Sequence, residues 1–291
     1  MTINAALLGA GIFAIEEHLP AIQNCPQLLK AVYSRSRQSA KIATASGAPA
    51  VVIALPITVQ PDLIRKALAA GKHVLSEKPI AKDIATAQEL NFRFWNSINA
   101  AADALREWNA NLVTFRTSVY SLTQRRKTPE YQGGFLLDGG VRFVAMTRYL
   151  LDALGEKVSK VVGFSTLLVP KLGPVDKLDA IWQLSNGCQG SFNRSFGTEY
   201  KSAFEVEMVT DKGSILVKPT EVAILTKDAS GEKSSSCSEL EMTNGVKEEM
   251  ITFAQAILTD SLDRRLSAEE ALEDLNVLEN MLSSNGLAKD L

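Results

Sequence analysis

The sequence predicts an α/β protein in which an N-terminal domain with a parallel sheet precedes a C-terminal α+β domain with a large open, mostly antiparallel sheet. Three observations lead there. Apolar runs alternate with helical segments between residues 5 and 76, a glycine-rich turn interrupts the first such pair, and strand-like segments joined by short turns dominate residues 158–226. The chain of 291 residues can bury two ordinary cores, and its grammar changes after Ile80. The domains are therefore placed at 1–94 and 95–291, with the C-terminal helices packing back toward the first.

Ala5-Ala-Leu-Leu-Gly9 reads as a buried strand ended by glycine, Ile12–Ile22 as a helix and Leu28–Tyr33 as a second strand, which together make a βαβ unit. A second cycle follows: a helix over Ser36–Ser46, a strand over Ala50–Leu55 closed by Pro56, a helix over Pro61–Ala70 ended by Gly71, and a strand over His73–Ser76. Strands that alternate with helices imply parallel pairing, because each crossover returns the chain to the same end of the sheet. Beyond Ile80, helices are expected over Ala85–Phe94 and Ile98–Glu107, then a strand over Leu112–Ser121 and a long helix over Asp138–Leu154. Strands follow at Lys160–Leu168, Ala180–Leu184, Gly190–Phe196, Phe204–Thr210, Ser214–Val217 and Glu221–Leu225, with turn signals at Asn186-Gly187 and Asp211-Lys-Gly213. The polar stretch 231–238 reads as a surface loop. Helices over Glu248–Leu258 and Ala268–Leu282 close the chain, the second opened by the capping box Ser267-Ala-Glu-Glu270.

Composition narrows the partners. A net charge of −2 with mixed signs along the chain gives no electrostatic reason to expect nucleic acid or an anionic membrane, so the expected partner is a small molecule. Cys25, Cys188 and Cys237 are far apart and odd in number, which suggests neither a disulfide framework nor a zinc site, and no metal is expected. The N-terminal residues lack a basic leader and no apolar run reaches the roughly 18 residues of a membrane span, so a cytoplasmic location is expected.

The turn Gly9-Ala-Gly11-Ile-Phe-Ala14 carries the first chemistry. A glycine straight after a strand can take positive φ, and a second glycine two residues on lets backbone approach a pyrophosphate at a helix N-terminus. Alanine is permitted at the third position, where helix and strand pass closely, so the turn fits a dinucleotide-binding Rossmann unit. An acidic residue at the end of the second strand would select NAD, whereas arginine there suits a 2′-phosphate. The strand ends in Tyr33-Ser34-Arg35-Ser36-Arg37, with two guanidiniums and no carboxylate, and NADP is expected in preference to NAD. Ser34, Arg35 and Arg37 join Gly9, Gly11, Ile12, Phe13, Leu55, Pro56, Glu77 and Lys78 as candidate cofactor contacts.

The second signal is Glu77-Lys78-Pro79, directly after an apolar strand. A lysine there sits at the carboxyl end of the sheet, where open α/β folds bind ligands, and its ammonium can hydrogen-bond a substrate oxygen and handle its proton. With Gly9, Gly11 and Ala14 upstream, the run Ala69-Ala-Gly-Lys-His-Val-Leu-Ser-Glu-Lys-Pro79 resembles the Gfo/Idh/MocA family of glucose-fructose oxidoreductase and inositol dehydrogenase-like proteins. The resemblance continues through Phe135-Leu-Leu-Asp138-Gly-Gly-Val-Arg142, Asn186-Gly-Cys-Gln-Gly190, Asp211-Lys-Gly-Ser214 and Leu266-Ser-Ala-Glu-Glu-Ala271, so it spans nearly the whole chain. The run Arg125-Arg-Lys-Thr-Pro-Glu-Tyr-Gln-Gly-Gly134 is most similar to fungal NADP(H)-dependent members.

That resemblance implies nicotinamide lying against Lys78, and a hydride passing between it and a sugar, polyol or small carbonyl carbon. It also implies a C-terminal sheet that bears the substrate pocket and often a subunit interface, hence a possible homodimer through that sheet. The family's usual site adds an aspartate and a histidine four residues apart on one helix. Asp138 holds the first place, but Arg142 stands where the histidine would be. Arginine stays protonated, so proton transfer falls to Lys78, with Asp138 as its partner and Arg142 holding an anionic or carbonyl substrate. The alternative is a catalytically impaired dinucleotide-binding regulator of the same family. Arg93 and Trp95 are candidate substrate contacts, while His18 is read as structural and His73 as facing away from the site. Three stretches, near residues 46–50, 90–91 and 123–125, are short of the family pattern.

Overall fold

The computed structural model describes residues 2–9, 11–34, 47–55, 59–77, 92–123 and 134–291. The chain divides into two compact units, one of Met1–Phe94 with Asn244–Glu273 and the other of Trp95–Thr243 with Asp274–Leu291. The expected helix over Ser36–Ser46 and most of that over Ala85–Phe94 lie outside the described residues.

The elements, in chain order, are β1 (Ile3–Leu8), α1 (Leu19–Gln23), β2 (Leu28–Ser34), β3 (Ala50–Ile53), α2 (Gln60–Ala69), β4 (His73–Ser76), α3 (Asn96–Trp108), β5 (Leu112–Tyr120) and α4 (Gly134–Asp152). They continue as β6 (Val158–Thr166), β7 (Lys177–Leu184), β8 (Gln189–Ser195), β9 (Ala203–Thr210), β10 (Gly213–Lys218), β11 (Glu221–Lys227), β12 (Lys233–Glu239), α5 (Val246–Thr259), α6 (Ala268–Ser283) and β13 (Lys289–Asp290).

In the first unit four parallel strands pair in the order β2-β1-β3-β4. Their apolar runs are continuous because both faces of the sheet are covered. Ala5 and Leu7 of β1 and Ala50 and Val52 of β3 face one core, which Ile22 of α1 and Met250 and Phe253 of α5 complete. Ala6, Leu8, Val51 and Ile53 face the other, beside Ile64 of α2. The expected single helix over Ile12–Ile22 is instead a π-helical turn, Ala14–His18, running into α1. Pro20 lies in the first turn of α1 and has no N–H to donate, so the backbone ladder changes register just before it.

The second unit is built on a nine-stranded sheet in the order β12-β11-β10-β9-β5-β8-β7-β6-β13. Its pairings are antiparallel except for β5 with β8, which run parallel. Trp182 of β7 is fully buried, stacked on Phe192 at 5.1 Å and tilted against Phe115 at 5.7 Å, and its indole N–H points to the Met281 sulfur of α6 at 2.9 Å. Gly163 and Gly190 make room for this core, since a Cβ at either would come closer than 3.0 Å to the Met281 backbone or the Phe115 ring. One expectation is corrected here: residues 233–239 form β12, paired with β11 from Glu221 opposite Glu239 to Lys227 opposite Lys233, rather than a loop. All seven residues are exposed, so no alternation of apolar and polar side chains marks the strand; backbone pairing alone holds it, and its lysine and serines keep the sheet edge hydrated.

Candidate active site

The first glycine of the turn is fixed by sterics. Gly9 follows β1 with φ +148°, and a Cβ there would lie closer than 3.0 Å to the backbone carbonyl of Ala54, whose N–H bonds Leu8 at 2.8 Å to tie β3 to β1. Gly9→Ala is therefore expected to destabilise the first unit by about 1–3 kcal/mol and to weaken dinucleotide binding with it. A urea midpoint and a fluorescence titration measure the two; a variant matching wild type in both refutes the steric argument. The position of Gly11's missing Cβ has no neighbour within 4 Å, and its carbonyl accepts the N–H of Ile15 at 3.1 Å where the helical segment opens. Ile12 and Phe13 are exposed at this turn, at 75% and 37%, while Ala14, at the fingerprint's third position, is buried. A backbone with open space before it and apolar side chains beside it fits a dinucleotide's diphosphate and ring.

Ser34 ends β2 opposite Leu8, and Leu55 packs half-buried just past β3. Arg35, Arg37 and Pro56 lie outside the described residues. At the end of β4, the Glu77 N–H donates to Ile53 at 2.7 Å, and its largely buried carboxylate accepts from His18 Nε2 at 2.8 Å. The His18 ring is 2% exposed and meets the Phe13 ring edge-on at 5.4 Å. The residue before Lys78 is thus tethered by its backbone to β3 and by its side chain to the segment that begins at the glycine turn. Lys78 and Pro79 themselves lie outside the described residues. His73 is exposed at the opposite end of β4.

In the second unit, α4 carries Asp138 and Arg142 one turn apart; the aspartate side chain is outside the described residues and Arg142 is half-buried. Gly139 allows the helix to close on the sheet, because a Cβ there would strike the Phe196 ring. Against this contact lies a residue that the sequence reading missed. Arg194, 4% exposed, lays its guanidinium 3.5 Å from the Phe196 ring centroid and 4.8 Å from that of Phe143. It donates to the carbonyls of Val119, at 3.2 Å, and Ser195, and to Ser121 Oγ at 3.1 Å. Burial and then the Arg142 charge pull its pKa down to about 9. A sequence signal existed: Gly190, Phe192 and Arg194 share the inward parity of β8, and a cation at an inward position is rare without a reason.

The two residues singled out as substrate contacts are both buried. Arg93 pairs with Glu270 at 3.3 Å, and Glu270 in turn holds Arg264 at 2.6 Å, so the carboxylate expected to complete a capping box is used for ion pairs. The other half of the cap stands, with the Glu270 N–H donating to Ser267 Oγ at 3.3 Å. Trp95 is 7% exposed and stacked on Phe204 at 5.2 Å. Among the described residues no cluster of His, Cys, Asp or Glu has the arrangement of a metal site, and no helix is long and apolar enough to cross a membrane.

Two family models match the chain: an oxidoreductase family NAD-binding Rossmann fold over residues 3–92 and the same family's C-terminal alpha/beta domain over residues 105–286. Dehydrogenase FPY6 of Fusarium mangiferae is 41% identical over 335 residues, covering 97% of this chain and 96% of its own length. That alignment is longer than the chain by 335 less 291, so at least 44 positions face gaps, in keeping with the short stretches noted in the sequence. A scyllo-inositol 2-dehydrogenase of Bacillus subtilis is 23% identical over 192 residues, covering 59% of this chain and 55% of its own. Among solved structures, an oxidoreductase from Thermotoga maritima superposes with a TM-score of 0.83 at 26% identity, covering 100% of this chain and 98% of that one.

Proposed function

Because the chain belongs to the Gfo/Idh/MocA oxidoreductase family, we propose that it transfers a hydride between NADP(H) and a sugar, polyol or small carbonyl compound. The observation that carries the reading is the open glycine turn at the end of β1 together with the tethered Glu77 at the end of β4, both at the carboxyl edge of one parallel sheet. The similarity to an inositol dehydrogenase supports the polyol class. Residues 1–94 are assigned to the dinucleotide and 95–291 to substrate and self-association.

A nicotinamide, when bound, would supply the hydride chemistry. The rest is done by side chains. Lys78 orients the reacting oxygen by hydrogen bonding and moves its proton, as a positioned amine can. Asp138 stabilises the ammonium form of Lys78 and sets its direction. Arg142, permanently charged, binds and orients substrate rather than exchanging a proton. Arg35 and Arg37, with Ser34, clasp the 2′-phosphate. A homodimer through the nine-stranded sheet is part of the proposal, supported by the shallow cavity of about 410 Å³ lined by Phe115, Arg116, Ile181, Gly190, Glu207 and Val209 on that sheet. The three free thiols are in keeping with a cytoplasmic setting.

Arg35→Ala is expected to weaken NADPH binding at least tenfold and NADH binding no more than twofold, because only the former carries the phosphate that a guanidinium would bind. Fluorescence titration with both cofactors checks this, and equal losses would overturn the NADP assignment. A screen of neutral and acidic sugars and small carbonyls, with NADPH oxidation as the readout, tests the activity itself. Cofactor binding without turnover of any compound, in wild type and in Arg142→His alike, would refute it.

A further inference from the structure

Resting on the proposed hydride-transfer site, we infer that His18 is a positioning residue that couples occupancy of the glycine turn to the carboxylate of Glu77, the residue before Lys78. The π-helical turn Ala14–His18 makes this possible. Phe13 and His18 stand five residues apart, which on an ordinary α-helix would turn their side chains about 140° away from each other. The wider ladder, closed here by the Leu19 N–H on the Ala14 carbonyl, brings residues five apart back toward one face. The rings of Phe13 and His18 accordingly meet edge-on, with centroids 5.4 Å apart and planes at 79°. Single-turn π-bulges recur at functional sites, and this one sets a partly exposed ring at the turn against a buried imidazole.

The two nitrogens of the imidazole are held differently. Nε2 donates to Glu77 Oε1 at 2.8 Å, while Nδ1 is buried and has no hydrogen-bond partner among the described residues. The bond to Glu77 is therefore the ring's single polar anchor there, and the Phe13 edge orients it from the side of the turn. Phe13 is 37% exposed, whereas His18 is 2% exposed. A dinucleotide seated on the turn covers Phe13 without reaching the imidazole, so its effect on His18 passes through the Phe13 ring. Glu77 has its backbone fixed by the N–H bond to Ile53 at 2.7 Å, and its side chain is 13% exposed. With that backbone held, a shift of the imidazole is taken up by the direction of the carboxylate. Cofactor on the turn thus sets the group that precedes Lys78, to which the proposed function gives the handling of the proton.

The chain has two histidines, so nuclear magnetic resonance of full-length protein labelled with isotopic nitrogen in its histidine rings tests the coupling directly, with exposed His73 as internal control. NADPH and NADH are titrated in turn. Saturating cofactor is expected to shift the ring signals of His18 and leave those of His73 in place, and Phe13→Leu, saturated likewise, is expected to lose that shift. Kinetics with the best substrate of the screen supply a second readout. His18→Phe keeps an aromatic ring and loses the bond to Glu77; it is expected to lower kcat about tenfold with cofactor affinity within about threefold of wild type. His18→Gln, whose amide N–H can replace that of Nε2, is expected to recover most of the loss, whereas a role in packing alone would favour phenylalanine over glutamine. His18 signals unmoved by bound cofactor, a shift that persists in Phe13→Leu, or a kcat in His18→Gln no higher than in His18→Phe would overturn the inference, and binding of neither cofactor would overturn it together with the reading beneath it. A shift that Phe13→Leu removes, in a protein that turns over no compound, would leave the coupling standing and remove the enzymatic reading; turnover with a silent His18 would do the reverse.

Discussion

Lys78→Met is expected to lower kcat by about 10²–10⁴-fold with the wild type's best substrate, the range that a positioned proton donor contributes, while NADPH affinity stays within about threefold of wild type. Methionine keeps the length of the side chain and removes the ammonium, so the change tests the proton and not the packing. The expectation is sharp because the preceding residue is anchored twice: the Glu77 backbone bonds Ile53 of β3, and its carboxylate bonds the buried His18. A corollary separates position from chemistry. His18→Leu should cost part of the same activity by loosening Glu77, and should do so with Lys78 intact. A Lys78→Met protein whose kcat remains within tenfold of wild type would remove lysine from the mechanism.

Trp182→Ala is expected to destabilise the second unit by about 3–5 kcal/mol, the cost of emptying a large aromatic site in a core that cannot collapse around it. Trp182 is fully buried between Phe192 and Phe115 on the sheet and Met281 on α6, so two aromatic rings and a thioether meet it. The glycines that flank it allow no compensating approach: Gly163 already touches the α6 backbone and Gly190 the Phe115 ring as closely as an absent Cβ permits. Urea unfolding followed by circular dichroism and by the fluorescence of the remaining tryptophans measures the loss. A shift corresponding to less than about 1 kcal/mol would show that the cavity is refilled by side-chain rearrangement. Cofactor binding, proposed for the first unit, should survive at temperatures where the variant remains folded.

Much of the fold could be read along the chain because local pattern and final environment agree. β3 and the Ala5–Leu8 stretch of β1 are unbroken apolar runs, and both of their faces are in fact buried. β7 and most of β9 alternate in burial, with Leu178, Ala180, Trp182 and Leu184 of the first and Val206, Met208 and Thr210 of the second turned inward. The turns at Asn186-Gly187 and Asp211-Lys-Gly213 join β7 to β8 and β9 to β10 as their residues demand, with Gly187 at φ +86°. β12 was invisible because an exposed edge strand needs only a neighbour's backbone, and backbone pairing leaves no mark on side-chain order. The π-helical turn at Ala14–His18 was also hidden, since hydrophobic periodicity over so few residues does not resolve one ladder register from the next.

For the proposed site, the position of the glycine turn after β1 was legible because a strand that ends against a neighbouring backbone leaves no room for a side chain, as at Gly9, whose Cβ would strike Ala54. Arg93 and Trp95 illustrate the opposite case: their types suggested contact with a ligand, but Glu270, 177 residues after Arg93, and Phe204 claim them. The sequence by itself determined the two-domain α/β architecture, the glycine turn at the end of β1, and the presence of arginine rather than histidine four residues after Asp138 on α4. Only the tertiary structure decided that His18 secures Glu77, that Arg93 is spent on an internal ion pair, and that the buried guanidinium of Arg194 stacks on Phe196 and Phe143. The reason is physical: strand, turn and helix preferences act between near neighbours and are written in order, whereas the energy of a buried charge depends on which distant groups folding brings beside it.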